Sequence, residues 1–164
     1  FQKTAVGSKS MNMKRIANII LTLAAAVCMA VSCQKDEASL DRALVGTWHL
    51  DVTTVDGTEL NADVDVYLVL NSDKTFALYQ KTGSQDKRYD LYTGNCEAES
   101  GVLTGTYSNG TPWGSSYKYK ATGSSLTLTS SDNMEEQVYV KESLPTDMKV
   151  NPDTKSAESQ TPIL

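Results

Sequence analysis

Few residues in this 164-residue chain are equipped for chemistry, and where they stand matters more than how many there are. There is one histidine, His49, and there are three cysteines, Cys28, Cys33 and Cys96. A serine or cysteine nucleophile needs a base held beside it. His49 follows Trp48 on an alternating run, so the two side chains point to opposite faces, and the core claims the tryptophan. His49 is therefore expected on the outside, sharing its face with Asp51. Two donors are too few for a metal site, which takes clustered His, Cys or carboxylate ligands. Cys96 has no base near it in sequence and reads as a small buried apolar residue. The pairs Glu97/Glu99 and Glu135/Glu136 are of the kind a glycoside hydrolase uses, but that chemistry needs a fixed separation across a cleft. At strand ends and turns such acids are ordinarily solvated. The expectation is no catalytic residue, no metal, no cofactor and no enzymatic activity.

Charge excludes one class of partner. Residues 1–32 hold Lys3, Lys9, Lys14 and Arg15 and no acid. From residue 33 onward eleven bases face twenty acids, a formal −9. Nucleic-acid binding needs clustered Lys and Arg to displace counterions, so no nucleic-acid partner is expected. The length fits one domain.

The basic N-terminus reads as an address. Met11 or Met13 is the natural start, and Lys14-Arg15 then precedes an apolar run, Ile16 to Val31, broken only by Asn18 and Thr22. Residues 1–32 are thus upstream residues and a secretory signal helix rather than a retained span. Met29-Ala30-Val31-Ser32-Cys33 resembles a bacterial lipobox, with Ala30 where leucine is commoner. The resemblance implies cleavage before Cys33 and acylation of Cys33, and several acyl chains exceed what stable membrane attachment needs. Gln34-Lys35-Asp36-Glu37-Ala38 resembles the lipoprotein export signal of the Bacteroidetes. That implies display on the outer face of the outer membrane, a periplasm-facing position being the alternative. Residues 33–42 form the lipidated cysteine and a short tether, which at about 3.3 Å per residue keeps the domain near the bilayer. With Cys28 removed and Cys33 modified, Cys96 has no disulfide partner, and stability rests on the core and the strand ladder.

Beyond the tether the chain is a string of short alternating runs separated by turn formers. They cover roughly 46–55, 64–70, 75–81, 88–98, 102–107, 116–122, 125–130 and 135–142. Eight antiparallel strands in sequence order form a meander, and a meander of eight closes into an up-and-down barrel that leaves no exposed edge. An open sandwich of two four-stranded sheets is the alternative. The interior of an eight-stranded barrel holds side chains or one small ligand. One hairpin is specific: a type I turn over Asn71-Ser72-Asp73-Lys74, with Lys74 left-handed, sets Leu70 opposite Phe76 and Leu68 opposite Leu78. Leu68, Leu70, Phe76 and Leu78 are the candidate interior lining. The eight tyrosines all fall in the runs, either lining an amphipathic pocket or covering the outer wall.

Gly46-Thr47-Trp48, at the head of this meander, resembles the Gly-X-Trp signature of lipocalins. The match is closer to the lipocalin-like domains of Bacteroidetes lipoproteins, which carry segments like Gly105-Thr106-Tyr107-Ser108-Asn109-Gly110-Thr111-Pro112-Trp113-Gly114 and Asn71-Ser72-Asp73-Lys74-Thr75-Phe76. The resemblance spans residues 43–145 and implies an eight-stranded barrel with Gly46 and Trp48 closing one end. The arginine that usually stacks on the tryptophan is missing; Lys141 is the nearest substitute, and it lacks the planar guanidinium. A small, partly apolar ligand in the open end is the functional expectation. The alternative is a packed barrel that contacts a protein or glycan through the loop carrying Trp113. Residues 146–164 are expected to form a polar tail, with Met148 or Val150 against the barrel rim.

Overall fold

The computed structural model describes residues 39–60, 63–83, 88–151 and 162–164. The signal segment, Cys33 and the start of the tether lie outside the described residues. Nine strands follow one another: β1 Gly46–Val55, β2 Thr58–Glu59, β3 Val64–Leu70, β4 Thr75–Thr82, β5 Asp90–Glu99, β6 Val102–Tyr107, β7 Tyr117–Ala121, β8 Ser125–Ser130 and β9 Glu135–Lys141. All pairings between them are antiparallel, and β1 pairs with β9 as well as with β3. Eight strands therefore close into a barrel. The ninth, β2, is a two-residue flap absent from the sequence reading. It folds back on β1 through Asp56-Gly57, both with positive φ, the geometry of a two-residue primed turn.

The expected hairpin is present with the expected register, Leu70 opposite Phe76 and Leu68 opposite Leu78. Lys74 carries a φ of 66° and its N–H donates to Asn71 O at 3.1 Å. A second feature of register was not expected. The β1–β9 ladder slips between Leu50 and Val52, leaving Asp51 as a bulge. Such an insertion exchanges the faces of the residues beyond it. Trp48 pairs with Lys141 and Leu50 with Tyr139 before the slip; Thr53 pairs with Gln137 and Val55 with Glu135 after it.

The core runs from Leu40 and Leu44, which precede β1, through Trp48, Leu68, Leu70, Phe76, Leu78, Cys96, Leu103, Leu126 and Leu128. Leu68, Leu78, Leu103, Leu126 and Leu128 are wholly shielded from solvent. Each such side chain contributes about 1.5–3 kcal/mol by leaving water. At the Trp48 end the indole N–H donates to Leu44 O at 2.8 Å, so the residue is buried with its polar atom satisfied. Lys141 Nζ stands 5.1 Å from the indole centre, in the place where an arginine was expected. Gly46, with φ 152°, fits because a Cβ there would meet Lys141 Cε at 2.9 Å.

Residues 108–116 connect β6 to β7 without leaving the barrel. Trp113 N–H donates to Gly105 O at 2.9 Å, and Thr106 bridges Pro112. The indole lies flat over Gly105, where a Cβ would come within 2.1 Å of the ring. Farther on, the supposed tail supplies two pieces of structure. Val150 forms a parallel bridge with Tyr89, and residues 162–164 return to the barrel.

Candidate functional site

The end of the barrel away from Trp48 is built differently from the rest. Strands that place leucine inward deeper down place polar side chains inward here: Gln80 after Phe76 and Leu78 on β4, Gln137 before Tyr139 on β9, Ser130 after Leu126 and Leu128 on β8. Gln80, Ser130 and Gln137 are the buried polar side chains of the described residues. Burying such groups is costly unless they are paired. Tyr139 donates its O–H to Gln137 Oε1, and Gln137 Nε2 donates to Glu135 Oε1 at 2.6 Å and to Ile163 O at 3.2 Å. Gln80 Oε1 accepts the Ile163 N–H at 3.0 Å, and Tyr107 donates its O–H to Leu164 O at 2.7 Å. The returning segment Pro162–Leu164 is thus held in the mouth through its backbone.

Two cavities flank that segment. One of 590 Å³ lies between Tyr107, Pro112, Tyr117, Ser130, Met134 and Leu164. The other, of 330 Å³, is bounded by Leu50, Thr53, Val55, Leu60 and Val64. Val55, Glu135 and Ile163 line both, so Ile163 sits between them. Thr53 Oγ1 is buried on the second cavity and has no hydrogen-bond partner among the described residues. Leu60 and Met134, the exposed large hydrophobic side chains of the described residues, stand on the rim, one at each cavity. Burial, reinforced by neighbouring Tyr117 and Tyr92, raises the Tyr107 phenol, and burial raises Tyr117 and Tyr139 as well. All three remain protonated donors at neutral pH.

The residues singled out from sequence fall elsewhere. Leu68, Leu70, Phe76 and Leu78 face the interior and are buried, but none of them borders either mouth cavity. They line the interior as expected, as the packed floor beneath the mouth. Gly46 and Trp48 lie at the filled end. Trp113 is corrected: it is 5% exposed and packs edge-on against Phe76 at 5.0 Å and Tyr117 at 6.2 Å. It is core, and no partner can reach it as a loop aromatic. Cys33 lies outside the described residues. The groups that hold Pro162–Leu164 were missed. Their available signal was a polar residue, Gln80 or Gln137, at an inward phase of an alternating strand.

On the outer wall His49 is less isolated than its sequence context suggests. Its ring stacks on Tyr67 at 4.3 Å, with Nδ1 2.9 Å from Glu142 Oε2 and Nε2 3.0 Å from Asp65 Oδ1. Lys81 Nζ lies 3.2 Å from Asp65 Oδ2, and Tyr89 donates its O–H to the same oxygen. Partial burial alone would raise Asp65, but hydrogen bonds from Tyr89, Lys81 and His49 outweigh it and hold the carboxyl below its ordinary value. This is a cross-strand brace that joins β1, β3 and β4 to Tyr89, just before β5, and Glu142, just after β9. Cys96 is buried on β5, and burial, with Asp73 and Glu97 nearby, pushes its thiol up to about 11. Among the described residues no three His, Cys, Asp or Glu side chains are grouped to hold a metal ion.

A family model described as a lipocalin-like domain matches residues 44–150. Among solved structures, an uncharacterized protein from Bacteroides eggerthii DSM 20697 aligns at 12% identity over 60% of this chain and 99% of its own, with a TM-score of 0.45. The lipoprotein YedD from Klebsiella pneumoniae subsp. pneumoniae MGH 78578 aligns at 12% identity over 67% of this chain and 80% of its own, with a TM-score of 0.42. No curated protein matches the sequence.

Proposed function

The chain belongs to the lipocalin-like domain family, and we propose that it is a lipid-anchored binding module that takes a small, partly apolar molecule in the mouth of its barrel. One observation carries the binding half of this reading: the interior is filled at the Trp48 end and opens at the other into spaces of 590 and 330 Å³. Both have mixed walls, with apolar side chains and a few convergent polar groups, the usual make-up of a small-molecule site. The buried Thr53 hydroxyl, without a hydrogen-bond partner among the described residues, and the rim hydrophobics Leu60 and Met134 point the same way. The role is binding without catalysis. The Cys96 thiol stays protonated, and the His49 ring is occupied by Asp65 and Glu142.

The anchoring half rests on sequence, on the signal-like run and the lipobox-like residues 29–33. Outer-membrane display rests on the charged residues 34–38. Mass spectrometry of protein purified from its own host tests both halves. The expected result is an acylated chain carrying an additional bound mass, with Cys33→Ser losing the acyl mass and leaving the membrane fraction. A chain that carries no ligand and takes up no added apolar fluorophore contradicts the binding reading. Protease treatment of intact cells is expected to digest the barrel; full protection assigns the periplasm-facing position instead.

A further inference from the structure

The groups that hold Pro162–Leu164 recognise backbone. Ile163 offers its N–H to Gln80 Oε1 at 3.0 Å and its C=O to Gln137 Nε2 at 3.2 Å, while Leu164 offers its C=O to Tyr107 O–H at 2.7 Å. The three side chains are no more than 5% exposed, so these are built positions inside the barrel. Gln137 cannot turn its amide over. Its oxygen accepts from Tyr139, and its nitrogen faces both Glu135 Oε1 and the Ile163 carbonyl. Among the described residues the mouth therefore meets this extended segment with an acceptor from Gln80 and donors from Gln137 and Tyr107. Leu164 is buried there, and there is further room on either side of Ile163.

We infer that the barrel mouth is a peptide-binding site, that Pro162–Leu164 is its resident occupant, and that its exchangeable ligands are short, extended apolar peptides that displace this segment. The inference deepens the binding reading above and rests on it. A peptide supplies the N–H that Gln80 Oε1 accepts; a fatty acyl chain supplies none. A tethered occupant competes at a high effective concentration, in the millimolar range for a short linker, so an intact chain resists a free peptide.

The test uses the full chain and a fluorescent peptide with the sequence of residues 159–164, read by anisotropy, with a fluorescent long-chain fatty acid as a second probe. Ile163→Asp, which disfavours the resident segment, and a variant lacking 162–164 are each expected to bind the peptide at least ten-fold more tightly than the wild type. Methylating the peptide nitrogen that corresponds to Ile163 N–H is expected to weaken binding at least ten-fold, a comparison that leaves the protein unaltered. Equal peptide affinity in wild type and both variants, or equal affinity for the methylated peptide, overturns the inference. If the fatty acid binds and the peptide does not, the peptide inference falls and the small-ligand reading stands; if neither binds, both fall.

Discussion

At the Trp48 end, Leu40 and Leu44 are buried in the same core as the indole, its N–H donates to Leu44 O, and Lys141 covers the ring. At the other end the same strands turn Gln80, Ser130 and Gln137 inward and are closed by a three-residue segment held through its backbone. The first arrangement relies on apolar area and close packing, which lose free energy sharply when any part is removed. The second relies on hydrogen bonds, each contributing only about 0.5–1.5 kcal/mol net, and on cavities left beside the segment. A barrel can thus be stable and still exchange an occupant, provided that stability and exchange are assigned to opposite ends.

That contrast is open to breakage by mutation. Trp48→Ala is expected to cost about 3–5 kcal/mol in denaturant unfolding, in line with large-to-small changes in cores. Ile163→Asp, at the half-buried centre of the mouth, is expected to cost no more than about 2 kcal/mol, the release of one partly buried aliphatic side chain. Equal losses at the two sites would erase the distinction between the ends.

Alkaline unfolding sharpens it further. The raised phenols of Tyr107, Tyr117 and Tyr139 lie toward the mouth and are buried, whereas the raised phenol of Tyr119 beside the seal, which donates to Asp41 Oδ2 at 3.0 Å, is only partly buried. A phenol whose pKa is higher folded than unfolded adds stability that is fully present below about pH 10 and is lost as pH rises toward the folded value. The expected slope above about pH 10 is close to 1.4 kcal/mol per pH unit for each such phenol, and Tyr107→Phe removes one share of it. An unchanged slope in that variant would contradict the assignment. The smallest expected effect is a gain. Lys74→Gly relieves a left-handed lysine and raises stability by about 1 kcal/mol; a lowered unfolding midpoint would count against the turn as described.

The β3–β4 hairpin could be read from sequence because its turn residues fix the phase of both strands at once. Closure of the meander followed from strand count and the need to pair edges. Trp113 could not be placed from its Gly/Pro surroundings, since turn composition gives a bend without a direction. The signal was distant: Gly105 stands at an inward position of β6 and leaves a space the indole fills. The Asp51 bulge shows only in the pairing of β1 with β9, far apart in the chain, so the inward place of Thr53 could not be read from β1 alone. Pro162–Leu164 is too short for any periodicity and follows a polar stretch. Its partners Gln80 and Gln137 could be suspected of an interior role only once the inward faces of β4 and β9 were known.

The claim that the mouth is the binding end is tested most directly by mapping amide chemical shifts while dodecanoate is added to the isotope-labelled chain. Saturable shifts are expected at Thr53, Val55, Gln137 and Ile163, with Trp48, Leu68 and Leu126 unmoved. Saturable shifts centred on Trp48 and Leu44 would contradict that claim.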